Sequence, residues 1–379
     1  MELLEILHYL PLAITQAAGY ICEEQVTLGR YLGLLRDDLD AKDVLEQDYY
    51  DPARDSEIQN SILLTWKISF DQITRQKPRA AEILSLMAVL DRQSISDFLL
   101  IKKDDRKVTF DTAMGTLKAF SLITEERRGA TFGMHRLVQI SIQRWLEAQQ
   151  ALLKWQEIAL NVVSQCCPSS TEYGSWSAWE TISPHIQVVL GYDIGTEPSL
   201  VQRASILTNT ASYDKQQGRY GPAGEKGREA LTIRQKLFGI KHPDTLKSMN
   251  NLASVLQNQG KNEEAERLHR QGLELGKEVL GKEHPSTLAS MNNLANVLQN
   301  QGKNEEAERL HRHVLELGKE VLGKEHPFTL TSMNNLALVL KSQGKYEEAE
   351  RLHRQVLELR KEVLGNEHPS TLTSMVSVC

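Results

Sequence analysis

Along residues 242–367 the apolar positions recur in steps of three and four, and the whole pattern recurs every 42 residues. In the block 242–283, Leu246, Met249, Leu252, Ala253 and Leu256 fall on one face of a helix that the pattern carries to about Gln259. Pro243 suits the first turn, where a missing N–H costs nothing, and Gly260 suits a left-handed stop. Asn262, a residue type that caps helices, is expected to open a second helix, with Glu263 and Glu264 at the positive end of its dipole. Ala265, Leu268, His269, Leu275 and Val279 form the inner stripe of this helix, and Gly281 ends it. Glu263/Arg267 and Glu266/Arg270 make i,i+4 pairs on its polar face. Two such helices cannot bury their apolar faces alone, so each hairpin must stack on the next and the pattern predicts an α-solenoid.

The motif SMNNLA begins at 248, 290 and 332, and His-Pro at 242, 284, 326 and 368. Blocks 242–283 and 284–325 differ only at 244/286, 247/289, 254/296, 271/313 and 272/314, so 42 − 5 = 37 positions are identical. A third block spans 326–367, and 200–241 keeps the register in degenerate form through Ala211, Gly218, Tyr220, Ala223 and Gly239. In the last block, 368–379, Val376, Ser377, Val378 and Cys379 stand where Asn-Asn-Leu-Ala would be. Its hairpin is expected to lack the second helix, as in a truncated chain or gene model.

The N-terminal half does not repeat. MELLEILHYLPLAITQAAGYI is apolar, but Glu2, Glu5, His8 and Pro11 interrupt it and no basic region precedes it. It is therefore expected to be a buried helix rather than a signal peptide or membrane span. Residues 61–73, 78–90 and 109–120 read as amphipathic helices, and 121–135 alternates about a polar turn as one small β-hairpin. HRLVQISIQRWLEA follows as a helix, which completes winged-helix order. The third helix carries only Lys118 against Asp111, so it lacks the basic face that reads DNA. Residues 150–199 form a helical linker in which Trp176 and Trp179 are expected anchors, and Cys166-Cys167 reads as a pair of small helix residues. The expected domains are 1–60, a winged-helix-like 61–149, the linker 150–199 and the solenoid 200–379, a mainly all-α architecture.

The formal net charge of −6 gives no electrostatic reason for nucleic acid or an anionic membrane as partner. Cysteines at 22, 166, 167 and 379 lack metal-ligand or disulfide-scaffold spacing, which suits a reducing, cytoplasmic setting. The His-Pro histidines and His269, His311 and His353 sit on fixed repeat columns, and no Ser/His/Asp, Cys/His or paired-carboxylate arrangement stands out, so neither a metal site nor an enzyme is expected.

NNLA…QGKYEEAERLHRQVLEL…LG.EHP resembles the tetratricopeptide repeats of the kinesin-light-chain type, over roughly 200–379. The resemblance implies that the first helices line a concave groove holding a peptide or partner protein. Its groove positions are Lys247, Asn250, Ser254, Gln257 and Asn258, then Ala289, Asn292, Asn296, Gln299 and Asn300, then Thr331, Asn334, Leu338, Lys341 and Ser342. Four of these columns vary between blocks while the Met, Leu and Ala packing columns do not. The fixed column Asn250/Asn292/Asn334 offers an amide ladder to an extended peptide backbone. Asn251, Asn293 and Asn335 are expected to bond between neighbouring helices.

Tyr9-Leu10-Pro11-Leu12-Ala13 resembles the GLPLA motif of NB-ARC modules with Tyr in place of Gly, and Met134-His135-Arg136 resembles MHD with Arg in place of Asp. The resemblance gives Pro11 an adenine contact and His135 a diphosphate contact, both vestigial. The other reading is local: Pro11 kinks a core helix and His135 caps the helix after the hairpin. No G-x-x-x-x-G-K-[ST] loop occurs, so no cofactor is expected, and ADP or ATP only with a separate nucleotide-binding core. The chain looks like the C-terminal portion of a fungal NLR-like STAND protein, a non-catalytic protein-interaction module of a signalling receptor. The alternative is a free-standing cargo adaptor like kinesin light chain, which should carry a long heptad region that is missing here.

Overall fold

The computed structural model describes residues 2–7, 9, 11–40, 56–126, 131–169 and 173–378. His8 and Leu10, the hairpin turn at 127–130, part of the turn-rich stretch at 170–172 and Cys379 lie outside them. The chain divides into two compact units, Met1–Gln202 and Arg203–Cys379.

The first unit opens with α1 (Glu2–Ile6), α2 (Pro11–Glu23) and α3 (Leu28–Asp40). The single helix expected at the N-terminus is thus two. Tyr9 takes φ +53° between them, and Pro11 starts α2, where its lack of an N–H is harmless, instead of kinking a helix. Next come α4 (Ser56–Gln76), α5 (Pro78–Ala88), β1 (Ile95–Ser96), α6 (Asp97–Leu100), α7 (Lys107–Ala119), β2 (Ile123–Glu125), β3 (Thr131–Met134) and α8 (Arg136–Ala148). The antiparallel sheet runs β1-β3-β2, with Ile123 opposite Met134 and Ile95 opposite Phe132. The expected hairpin therefore gains a third strand, which at two residues is too short to show alternation in the sequence. Lys118 on α7 is paired with Glu125 at 2.6 Å.

The N-terminal helices pack on this core. A Cβ at Gly19 would stand 2.8 Å from the Ala119 carbonyl, so α2 presses directly on the end of α7. Gln16 Nε2 donates to the Ser121 carbonyl at 2.6 Å, and the Tyr20 ring meets Phe120 edge-on at 6.1 Å. The unit closes with α9 (Leu152–Cys166) and α10 (Trp176–Leu190). Of the two expected anchors, Trp179 is fully buried, whereas Trp176 is exposed.

The second unit is built from α11 (Glu197–Gln216), α12 (Tyr220–Phe238), α13 (Pro243–Asn258), α14 (Asn262–Val279), α15 (Pro285–Asn300), α16 (Asn304–Val321), α17 (Pro327–Ser342), α18 (Tyr346–Leu364) and α19 (Pro369–Val378). From α12 onward each helix packs on the next, and the first helix α15 also touches α13 and α17. Leu246, Met249, Leu252, Leu256 and Ala265 form one buried layer with Leu231 before and Val297 after it, so the core runs continuously through the hairpins.

Four local expectations are corrected. Asn262 is the first helical residue of α14, not its cap; Lys261 occupies the cap position without a side-chain bond. Val279 is exposed, and Gly272, Leu273 and Gly276 take the inner places instead. The column Gly272/Val314/Val356 is buried, so one packing column does vary between repeats. Glu266 and Arg270 pair at 2.9 Å, while Glu263 and Arg267 are not paired among the described residues.

Candidate interaction face of the repeats

Lys247, Ser254 and Asn258 lie seven and four residues apart, which places them on one face of α13. Lys247 and Asn258 are exposed and Ser254 is half-buried. The equivalent positions on α15 are Ala289, Asn296 and Asn300, and on α17 Thr331, Leu338 and Ser342, where the Leu338 side chain stands 41% exposed. Gln257 and Gln299 are half-buried at the edge of this stripe and Lys341 is exposed. Bonds along the stripe join neighbouring repeats: Lys215 Nζ donates to Ser254 Oγ at 3.2 Å, and Gln299 Nε2 to Ser342 Oγ at 3.4 Å.

The amide ladder is corrected. Asn250 Nδ2 donates to Ser290 Oγ on α15, and Asn250 Oδ1 lies 3.2 Å from His269 Nδ1 on α14. Asn292 is only 7% exposed, and its Oδ1 accepts from Asn335 Nδ2 at 3.2 Å. An amide at this depth must be hydrogen-bonded, and the neighbouring helices supply the partners. Asn250 and Asn292 therefore join repeats rather than present a backbone-binding surface, while Asn334 is half-buried. Sequence reasoning assigned interhelical bonding to the neighbouring Asn column; Asn335 does this, but with the other column as its acceptor.

His269, His311 and His353 are buried in the second helices. Burial holds His269 and His311 down at about 4 and lowers His353, where Lys341 adds to the effect. The His-Pro histidines have a separate job: in His242, His284, His326 and His368 Nδ1 accepts the N–H two residues on and caps the first helix.

In the first unit, Pro11 and His135 are both exposed. His135 Nδ1 accepts from the Leu137 N–H at 3.2 Å and caps α8, which matches the local reading of that residue. That cap bond and an exposed proline do not by themselves form a nucleotide cradle. Among the described residues no group of three or more His, Cys, Asp or Glu is placed to hold a metal, and no helix is long and apolar enough to cross a membrane.

Stacked antiparallel helix pairs with this junction chemistry define a tetratricopeptide solenoid, a class of protein-interaction scaffold. Tetratricopeptide-repeat models match residues 203–244 and 245–286, and 286–362 and 335–378. Together these models span 203–378, nearly the whole of the C-terminal unit. Residues 71–151 match a domain of unknown function, DUF7779. The chain is 40% identical over 253 residues to a nucleotide-binding leucine-rich repeat (NLR)-like protein of Hyaloscypha variabilis, in agreement with the NLR-like resemblance of the sequence. That match covers 66% of this chain but 25% of the relative, so the chain spans about a quarter of its length. Similar solved structures include the nearly identical TPR-like repeats of a putative kinesin light chain of Podosopora anserina (26% identity, 56% of this chain and 96% of that one, TM-score 0.42). BtubC of P. vanneervenii is similar at 18% identity, covering 60% of this chain and 88% of that one, with a TM-score of 0.42.

Proposed function

We propose that the first-helix stripe holds an extended segment of a partner protein, and that the chain serves as the partner-sensing part of an NLR-like STAND protein in the cytoplasm. The observation that carries the reading is where the repeats differ. The columns 247/289/331 and 254/296/338 change residue in every block and 258/300/342 changes in the third, while the buried columns of Met249, Leu252 and Ala253 stay identical. A scaffold held constant beneath a changing surface is what graded recognition along a solenoid requires. Contact falls on Ser254, Asn296 and Leu338 and their neighbours rather than on the Asn250 and Asn292 amides. In this reading the first unit relays occupancy to a nucleotide switch. Pro11 and His135 touch ADP or ATP only together with a separate nucleotide-binding core.

Peptides selected from a random display library against the full chain provide the test. Asn296→Trp with Leu338→Arg is expected to weaken selected peptides at least tenfold, whereas Arg309→Ala on a second helix leaves them unchanged. Peptides that keep their affinity for the double variant would sink the proposal.

A further inference from the structure

Near-identical repeats create an ambiguity that their own packing does not resolve. Blocks 242–283 and 284–325 share 37 of 42 positions, so α14 and α16 offer nearly the same inner stripe to α13 and to α15. Exchange of such elements, within a chain or between copies, is a characteristic misassembly of repeat proteins. In each regular repeat a leucine of the first helix and a leucine of the second share one core layer: Leu256 with Leu268, Leu298 with Leu310, and Leu340 with Leu352. These pairs are interchangeable.

The degenerate repeat departs from this column on both helices at once. Asp214 on α11 stands 42 residues before Leu256, and Lys226 on α12 stands 42 residues before Leu268. Lys226 Nζ donates to Asp214 Oδ2 at 2.5 Å, and Arg219 Nη2 lies 2.8 Å from Asp214 Oδ1. Asp214 keeps only 5% of its side-chain surface exposed and Lys226 30%. An ion pair at such a depth adds little stability over two leucines, because both charges give up water to form it. What it adds is exclusivity. If α14 or α16 took the place of α12, Asp214 would face Leu268 or Leu310 and lose its lysine. If α12 took the place of α14 on α13, Lys226 would meet Leu256. Either exchange strands a charge that the correct hairpin satisfies. Arg219 lies five residues after Asp214 and travels with it to any partner, so the discrimination rests on Lys226.

We infer that the Asp214–Lys226 pair labels the first hairpin of the array. It makes α11 and α12 accept each other and refuse the helices of the regular repeats, whether those come from the same chain or from a second copy. The register of the solenoid is thereby fixed from its first hairpin onward. The inference does not rest on the partner-binding stripe, since neither residue belongs to it.

The test is refolding of the full chain from urea at micromolar concentration, with the dimer fraction read by light scattering on a sizing column. Asp214→Leu with Lys226→Leu gives the first hairpin the leucine pair of the other repeats. This variant is expected to fold, with a dimer fraction at least fivefold above that of the unmodified chain. Lys226→Arg keeps the charge and is expected to stay at the unmodified level. Mixing ¹⁴N and ¹⁵N copies of the double variant before refolding should give dimers of mixed mass, whereas mixing monomers already folded should give none. That contrast separates exchanged helices from association of surfaces. Should the double leucine variant fail to fold, Asp214→Leu with Lys226→Met carries the same expectation, because the flexible methionine adapts to the space. Refolding of the double variants to monomer at the unmodified level overturns the inference. So does failure of both to fold, which would make the ion pair a requirement for stability itself, and so do mixed dimers that form equally from folded monomers.

Discussion

Lys303 Nζ stands 2.9 Å from Glu266 Oε2, joining the start of one second helix to the preceding one. Lys345 and Glu308 repeat the bond at 2.8 Å. Glu266 also accepts from Arg270 at 2.9 Å, and Arg270 reaches on to Glu306 at 2.7 Å; Arg312 does the same between Glu308 and Glu348. Glu266 and Glu308 keep only 15% and 14% of their side-chain surface exposed, so these charges work in less water than ordinary surface pairs. A seam of alternating charge therefore runs between repeats beside the apolar core, and its acids depend on their partners.

Breaking that seam has a sign in pH. Burial alone would raise the Glu266 carboxyl, but hydrogen bonds from Lys303, Arg270 and Gln301 hold it at about 2. A folded pKa below the unfolded value near 4.5 adds stability above about pH 4.5 that is lost as pH falls toward 2. Glu266→Gln is expected to cost about 2 kcal/mol at neutral pH, because two cations lose their charged acceptor, and Lys303→Met about 1 kcal/mol. In urea titrations across this range, the gap between Glu266→Gln and the unmodified chain should close as pH falls. A constant gap would show that Glu266 acts through packing instead.

The buried histidines set a second and higher window. Their folded pKa of about 4 for His269 and His311 lies below the usual 6.5. The unfolded chain therefore takes up these protons first, and stability falls from about pH 6.5 down to pH 4, then levels. Among the described residues neither ring nitrogen of His311 has a hydrogen-bond partner, so His311→Leu removes a titrating group without stranding another. The variant is expected to match the unmodified chain at pH 7.5 within about 1 kcal/mol and to exceed it by about 2 kcal/mol at pH 4.5. Equal slopes for both proteins in pH-dependent urea unfolding would contradict this.

What the sequence disclosed follows from what repetition amplifies. Met249, Leu252 and Ala253 sit in three near-copies, so period, helix limits and packing face could be read together. The roles of Asn250 and Asn335 could not, because which of two adjacent amides turns inward depends on a rotation of about 100° per residue and on the angle between neighbouring helices. His269 was placed on a packing face, but its partner Asn250 comes from another helix and no spacing rule announces it. In the first unit Ile95–Ser96 is too short for periodicity, and the Tyr9 break depends on a left-handed conformation that a tyrosine does not advertise.

The close approach of α2 to α7 gives a prediction confined to the first unit. A Cβ at Gly19 would lie 2.8 Å from the Ala119 carbonyl oxygen, and a backbone atom cannot swing aside as a side chain can. Gly19→Ala is expected to destabilise by about 1–3 kcal/mol through this overlap. Gly33, in the middle of α3, has nothing from the other described elements within 4 Å of its Cβ position, so Gly33→Ala should instead stabilise by about 0.5–1 kcal/mol. Hydrogen exchange at residues 113–120 distinguishes the two, with faster exchange expected only for the Gly19 variant.

The His-Pro histidines make the final case, because their capping bond is independent of the seam and the buried rings. His326 Nδ1 accepts from the Phe328 N–H at 3.2 Å, and Thr329 Oγ1 donates to the Gly323 carbonyl at 2.8 Å, so the loop and helix start are tied from both sides. Gly323 sits at φ +96°, where a side chain would be strained, which fixes the direction in which the chain enters the loop. His326→Ala removes one acceptor from the helix start and is expected to cost about 1 kcal/mol, with the Phe328 amide exchanging faster. His326→Asn supplies an acceptor of similar reach and should recover most of that loss. If His326→Ala matches the unmodified chain in both urea stability and Phe328 exchange, the ring is a spacer before Pro327 rather than a cap.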